Sequence, residues 1–305
     1  MNVRIAKELE KVTGRANVFL NEDMGPHTTF RAGGRADIFV TPSDIKEATD
    51  IVRLLLTENI PYTIMGNGSN LLVSGKGYRG CIVKLGQGMD HIDVSGTRIG
   101  AGAGAPLSKV ARAAYEEGLT GLEFASGIPG SLGGALVMNA GAYGGEMKDV
   151  VKTVKVFDAV SMSVVTLSAD EMGFGYRTSI IKHQPYIVLE AELELVHGNR
   201  EAIRSRMDEL AEARRTKQPL EYPSAGSTFK RPEGYYAGKL IEDAGLKGCC
   251  VGGAQVSEKH CGFVINKGGA SADDIIELIR TVRRRVYGQF NVLLEPEVII
   301  LGEEI

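Results

Sequence analysis

The feature that most restricts what this chain can fold into is the crowding of its glycines. There are 39, and about half of them lie between positions 66 and 145 with no collagen-like period. Large side chains cannot hold such a stretch, so it implies loops in which backbone approaches backbone or a ligand closely. Two runs stand out. Gly66-Asn-Gly-Ser-Asn70 follows a short β-rich run at 61–65 and precedes Leu71-Leu-Val73. Its small residues can aim successive N–H groups at one anion, although GNG alone also reads as a hairpin turn. Residues 126–145, SGIPGSLGGALVMNAGAYGG, place Ser131 to cap a short helix through Met138. A helix start with free N–H groups, preceded by glycines, suits a diphosphate. GAGAGA at 100–105 matches the looser dinucleotide fingerprint only weakly, because the acidic residue due about 20 positions later would be Glu123, in a loop. Close backbone packing accounts better for those glycines. No GxxxxGK[ST] loop is present.

The net charge of -3 and a pI near 6.0 provide no basic field for nucleic acid or an anionic membrane. The longest apolar stretches, such as Leu54 to Leu56 and Val298 to Leu301, fall far short of the roughly 20 residues of a membrane span. Met1 to Leu20 mixes charged residues throughout and lacks the apolar core of a signal peptide, so the expected location is cytoplasmic. Four cysteines, Cys81, Cys249, Cys250 and Cys261, show no CxxC spacing and read as reduced, mostly buried thiols. His260 and Cys261 are chain neighbours and cannot easily converge with Cys249 on one ion, so no metal is expected. Nothing in the sequence points to an obligate protein partner.

Helical spacing appears at 43–58, with Ile45, Ala48, Ile51, Val52, Leu55 and Leu56 on one face and Ser43 as N-cap. It recurs at 106–117, with Leu107, Val110, Ala111 and Ala114 inward, and at 199–217, 235–244 and 271–287. Strand character falls at 80–85, 91–94, 97–101, 150–158, 164–167, 186–196, 251–256, 263–266 and 292–301. This order is α+β. The charged run from Asn199 marks the passage into a second domain, and there is no internal repeat.

GNGSN after a short strand, then SGIPGSLGGA and MNAGAYG, resemble the FAD-binding module of the vanillyl-alcohol-oxidase type. HTTFRAGG (27–34), GYRTS (175–179), PSAGSTFKRP (223–232), AGKLIEDAGLKG (237–248) and LEPEV (294–298) are similar to the UDP-N-acetylenolpyruvoylglucosamine reductases over nearly the whole chain. The resemblance implies a two-part FAD-binding module, at 1–90 and 91–198, followed by a smaller α+β substrate-binding domain at 199–305. It implies a flavoprotein oxidoreductase of peptidoglycan precursor synthesis. NADPH, as co-substrate, would reduce FAD, and flavin N5 would pass the hydride to UDP-N-acetylglucosamine enolpyruvate. The FAD would be non-covalent, since neither loop supplies a histidine or cysteine for attachment.

Carried over by that resemblance, Gly66, Asn67, Gly68, Ser69 and Asn70 would hold FAD from the first loop. Ser126, Gly127, Ile128, Pro129, Gly130, Ser131, Gly133, Gly134 and Ala135 would do so from the second, with Asn139, Gly141, Ala142 and Tyr143 beyond it. Hydride addition at C3 of the enolpyruvyl group builds negative charge toward C2 and the carboxylate. Arg177 would steady that carboxylate, Ser227 would protonate C2, and Glu297 would assist. A serine beside glycine is ordinarily a turn residue, and only the motif selects Ser227. Were 292–301 a strand, Glu295 and Glu297 would share a face, so spacing cannot separate them, and only the position before Val298 favours Glu297. Tyr176, Lys217, Gln218 and Lys239 are candidate substrate contacts. Arg231 stands where one branch of the family has asparagine, and the short run from Arg231 to Tyr235 fits the compact branch. Arg283 to Arg285 match no motif. A different FAD oxidoreductase on the same module, or a non-catalytic flavin- or nucleotide-binding protein, are the competing readings.

Overall fold

The computed structural model describes residues 2–302. The chain divides into two compact units that interleave along the sequence. One comprises the residues up to Leu20, Ile38–Asn67 and Gly80–Ala213, and the other Asn21–Asp37, Gly68–Arg79 and the chain from Arg214 on.

The first unit is organised by a five-stranded antiparallel sheet in the order Ser163–Ser168, Val151–Asp158, Tyr186–Glu194, Arg98–Gly102, Ile92–Ser95. Alternation sets its register: Val154 sits opposite Leu167 on one side and Ala191 on the other, and all three are buried. Helix Leu107–Glu116 buries the four residues its spacing predicts. Gly102 and Gly104 are there for close packing, since a Cβ would lie 2.1 Å from Met89 O and 2.5 Å from Gly86 O respectively.

Helix Ile45–Thr57 likewise buries Ala48, Ile51, Val52 and Leu55. Its N-cap, however, is Asp44, not Ser43. The Asp44 carboxylate accepts from Glu47 N at 2.7 Å, while Ser43 N donates to the Glu47 side chain at 2.8 Å. Helix Asn2–Thr13, which the charged amino terminus did not reveal, packs on this one with Ile5 and Leu9 fully buried. Two fully buried aliphatic side chains contribute about 3–6 kcal/mol relative to exposure, enough to hold a helix whose remaining residues are largely polar. Cys81 lies in the strand Tyr78–Lys84 opposite Tyr62, and burial pushes its thiol up to about 12. Cys261 is also buried, whereas Cys249 is half-buried and Cys250 exposed.

In the second unit, helix Ala272–Phe290 buries Ile275, Ile276, Leu278, Ile279, Val282 and Val286 beside a three-stranded antiparallel sheet, Cys250–Val251, Ala254–Val256, Val264–Asn266. The expected single strand at 251–256 is therefore a hairpin, turned at Gly252 and Gly253. Leu71–Val73 pairs in parallel with Ile299–Leu301. The expected strand at 292–301 is realised only there. Pro296 has no N–H for a ladder, and 292–298 is held instead by separate bonds, among them Arg283 Nε to Leu294 O at 3.0 Å.

Ser271 and Asp274 form a capping box, and Asp274 also accepts from Gly253 N at 3.4 Å. The Ser271 N–H holds the Asp274 carboxyl below its ordinary range, with the Ser271 hydroxyl and Gly253 adding to the effect. A depressed carboxylate stabilises the fold above its unfolded value, and that contribution disappears as pH falls through the folded one. Asp274→Asn is therefore expected to lower stability by about 0.5–1 kcal/mol at pH 7. In urea titrations the difference from wild type should shrink as pH falls below the ordinary carboxylate range; a constant difference would contradict the assignment.

Candidate functional site

In the first unit Gly66 faces Ser131 so closely that a Cβ on Gly66 would lie 2.0 Å from Ser131 Oγ. Ser131 is buried, and its hydroxyl caps helix Leu132–Val137 by accepting from Gly134 N at 3.4 Å. The first turn of that helix does not present free N–H groups. Leu132 N donates to Ala105 O at 2.8 Å and Gly133 N to Ala103 O at 2.9 Å, because the helix start is docked on the segment after Arg98–Gly102. Around it Gly127, Pro129 and Gly134 are exposed, and Ser126, Ile128 and Gly130 are half-buried. Gly66 against Ser131 makes a cradle that a Cβ would fill. With exposed glycine backbone beside it, this surface suits an extended cofactor held through main-chain groups.

The end of the helix and the loop beyond it are tied to GYRTS. Asn139 Nδ2 donates to Gly175 O at 3.1 Å, Arg177 Nη1 to Gly141 O at 3.4 Å, and Ser179 Oγ to Val137 O at 3.0 Å. Asn139 is buried, and its amide is used within the protein: Nδ2 also reaches Glu146, and Oδ1 accepts from Lys148 N at 3.0 Å. Arg177 occupies the left-handed region at φ 56°, a conformation that costs an arginine about 1–2 kcal/mol. Mutual backbone bonds between Gly175 and Thr178 close the turn around it, and Lys182 Nζ donates to Arg177 O at 2.7 Å. Its guanidinium carbon lies 5.6 Å from the ring of Tyr176, which is exposed. The turn thus fixes the direction of the guanidinium at the glycine loop. Ala142 and Tyr143 lie on this loop, Tyr143 in the left-handed region.

In the second unit the segment around Ser227 is laid between two others. Thr228 N donates to Gly262 O at 2.8 Å, the Thr228 hydroxyl accepts from Val264 N at 2.9 Å, and Glu297 N donates to Thr228 O at 2.8 Å. Gly226, at φ 74°, makes the turn just before Ser227. Ser227 is half-buried. Asn70 Nδ2 donates to Glu297 O at 2.9 Å, so the end of the first glycine loop, with Gly68 and Ser69 before it, is linked to the glutamate's backbone. Glu295 and Glu297, inseparable by spacing, differ here. Glu295 is exposed and pairs with Lys230 at 2.9 Å, whereas Glu297 is half-buried.

Of the candidate substrate contacts in this unit, Lys239 pairs with Asp243 one turn along its own helix, and that hydrogen bond and charge raise its pKa. Lys217 is exposed at the end of helix Arg200–Lys217, and Gln218, half-buried, continues it by donating to Arg214 O at 2.8 Å. Arg231 stacks 4.0 Å from the ring centroid of Tyr236 and donates to Tyr235 O at 3.3 Å. Two residues emerge that spacing could not have shown. Thr228 joins three segments, and His260 lies 5.0 Å from Phe263, accepting from Gly262 N at 3.1 Å through Nδ1. Burial lowers the His260 pKa, so the neutral ring carries its proton on Nε2. The partners of Thr228 are distant in sequence, and the turn that orients His260 carries no signal in its residue types. Among the described residues no three His, Cys, Asp or Glu side chains gather as a metal site, and no helix is long and apolar enough to cross a membrane.

Comparison with known proteins bears on both units. Residues 36–167 match the FAD binding domain family, and residues 218–301 match the C-terminal domain of UDP-N-acetylenolpyruvoylglucosamine reductase. The reductase of that name from Clostridioides difficile (strain 630) is 51% identical over 303 residues, 99% of each chain. The chain belongs to the UDP-N-acetylenolpyruvoylglucosamine reductase family. The reductase of Caldanaerobacter subterraneus subsp. tengcongensis is 52% identical over 300 residues, 98% of this chain and 99% of its own. The crystal structure of the Thermus caldophilus reductase superposes with a TM-score of 0.80 at 36% identity, covering 93% of this chain and 98% of that one. A grass pollen allergen with glucose dehydrogenase activity shares the fold over 64% of this chain and 44% of its own, with a TM-score of 0.51 at 16% identity. The fold is thus a vanillyl-alcohol-oxidase-type FAD-binding module joined to the C-terminal domain of the reductase family, α+β throughout.

Proposed function

We propose that this chain reduces the enol ether of UDP-N-acetylglucosamine enolpyruvate to UDP-N-acetylmuramate, with NADPH as electron source, in cytoplasmic synthesis of peptidoglycan precursors. The observation that carries this reading is the identity of about half the residues, over almost their whole length, with reductases of that name. FAD, when bound, supplies the hydride exchange between NADPH and C3 of the enolpyruvyl group. The glycine backbone at Gly66, Gly127, Gly130 and Gly134 would hold it, with Asn67, Ser126 and Ile128 alongside.

The protein's own groups answer the charge that this addition creates. Arg177, fixed by its left-handed turn, would meet the substrate carboxylate through a planar fork of donors as negative charge grows there. Ser227 would hold the proton for C2, so that hydride at C3 and proton at C2 together saturate the double bond. Glu297 would accept a hydrogen bond from, or return a proton to, that hydroxyl. Tyr176, Lys217 and Gln218 would contact the nucleotide sugar. Lys239 has less support, since Asp243 already neutralises it.

The separation of the two glutamates gives a direct test. Glu297→Gln is expected to lower kcat by about a hundredfold or more, within the range of a proton-handling group, while Glu295→Gln stays within about threefold. Equal effects would remove Glu297 from the reading. The purified protein should also show a flavin spectrum and consume NADPH in step with UDP-N-acetylglucosamine enolpyruvate. NADPH loss indifferent to that substrate would overturn the function.

A further inference from the structure

The second unit carries a cavity of about 850 Å3 that none of the residues proposed for cofactor or catalysis lines. Three stretches build it: 21–35, 75–79 and 270–273. Its size falls within the roughly 300–1,000 Å3 of small-molecule sites, but its lining is unlike an apolar pocket. Four cations, Arg31, Arg35, Lys76 and Arg79, are its only long side chains, and the rest of the wall is glycine, alanine, proline, serine, asparagine and aspartate.

The two carboxylates do not cancel this charge freely. Asp23 Oδ1 accepts from Gly25 N at 3.0 Å and Asp273 Oδ1 from Gly75 N at 3.1 Å, so each is turned toward the wall's own backbone. Arg35 and Arg79, in contrast, are oriented by bonds that occupy a minority of their five donors. Arg35 Nη1 donates to Asn21 O at 2.7 Å, and Arg79 reaches Asp37 at 2.9 Å and Lys76 O at 3.4 Å. The backbone of the wall is tightly packed: a Cβ on Gly34 would lie 2.0 Å from Ser74 O, and one on Gly77 2.5 Å from Arg35 O. A roomy cavity rimmed by cations with forked donors matches a compact anion bearing several oxygens.

We propose that this cavity binds a phosphorylated small molecule of about nucleotide size, at a site distinct from the one that handles the enolpyruvyl group. Phosphate oxygens meet the remaining donors of Arg35 and Arg79, and Arg31 and Lys76 close around the remaining charge. Glycine and alanine leave the volume for the rest of the molecule.

Calorimetric titration of the FAD-loaded protein with inorganic pyrophosphate, at low salt and with saturating UDP-N-acetylmuramate present, tests this. Binding should persist under those conditions and weaken at least tenfold in the Arg31→Glu/Lys76→Glu double variant. Substrate-dependent NADPH oxidation by that variant, measured without pyrophosphate, should stay within about twofold of wild type. Absence of binding at about 5 mM pyrophosphate, loss of binding on adding UDP-N-acetylmuramate, or binding indifferent to the double substitution would each overturn the site. If the double variant does not fold, protection of wild-type Lys76 from acetylation decides: at least threefold protection by pyrophosphate supports the site, and none rejects it.

Discussion

In anaerobic stopped-flow experiments, Ser227→Ala is expected to retain FAD and to be reduced by NADPH at close to the wild-type rate, while reoxidation by substrate slows by about 10² to 10⁴. That is the usual worth of a positioned general acid, here the donor to C2. The neighbouring structure makes the substitution clean. Thr228 is anchored to Gly262, Val264 and Glu297 through its backbone and hydroxyl, and Gly226 sets the turn, so removing one oxygen at 227 leaves the segment in place. Equal slowing of both half-reactions would assign Ser227 to NADPH handling or to general integrity instead. Ser227→Cys, which keeps an acidic proton at nearly the same position, should recover part of the second half-reaction, an effect a purely structural role would not produce.

Gly66→Ala should yield protein with little or no flavin. The added methyl would lie 2.0 Å from Ser131 Oγ and 2.9 Å from Ser131 Cβ, so one wall of the cradle must move. Ser131 cannot give way without abandoning its cap on Leu132–Val137, whose start is docked on Ala103 and Ala105. Overpacking of this kind costs about 1–3 kcal/mol and shifts the surface the cofactor would use. The expected result is an FAD affinity at least tenfold weaker, read from the absorbance of the purified protein and from titration of apoprotein. Ser131→Gly removes both offending atoms, so the double variant Gly66→Ala/Ser131→Gly should regain part of the flavin. Normal flavin content in Gly66→Ala alone would show that this approach does not matter to the cofactor.

What the sequence made legible follows from how local each signal is. Helices 45–57, 107–116 and 272–290 were readable because their apolar spacing is carried within each segment, and Ser131 caps where its small hydroxyl predicts. The misjudged points depend on distant partners. Residues 292–298 have strand composition, but Arg283, Thr228 and Lys230 hold them as an irregular segment, so the face shared by Glu295 and Glu297 does not exist. Free N–H groups at the start of Leu132–Val137 seemed available until Ala103 and Ala105 took them. The second unit draws on Asn21–Asp37 and Gly68–Arg79 besides the chain from Arg214, an interleaving that no composition shift announces. The candidate residues themselves, Arg177, Ser227 and Glu297, were legible only through ordered motifs, since an arginine in a turn, a serine after glycine and one of two glutamates carry little signal singly.

Under the proposed function this chain transfers reducing equivalents to an enolpyruvyl nucleotide sugar. The decisive experiment reduces the purified flavoprotein anaerobically with one equivalent of NADPH, adds UDP-N-acetylglucosamine enolpyruvate, and analyses the products by mass spectrometry. The expected result is flavin reoxidation without oxygen and one UDP-N-acetylmuramate, two mass units heavier than the substrate, for each NADPH consumed. Flavin that stays reduced until air is admitted, with the substrate recovered unchanged, would contradict it.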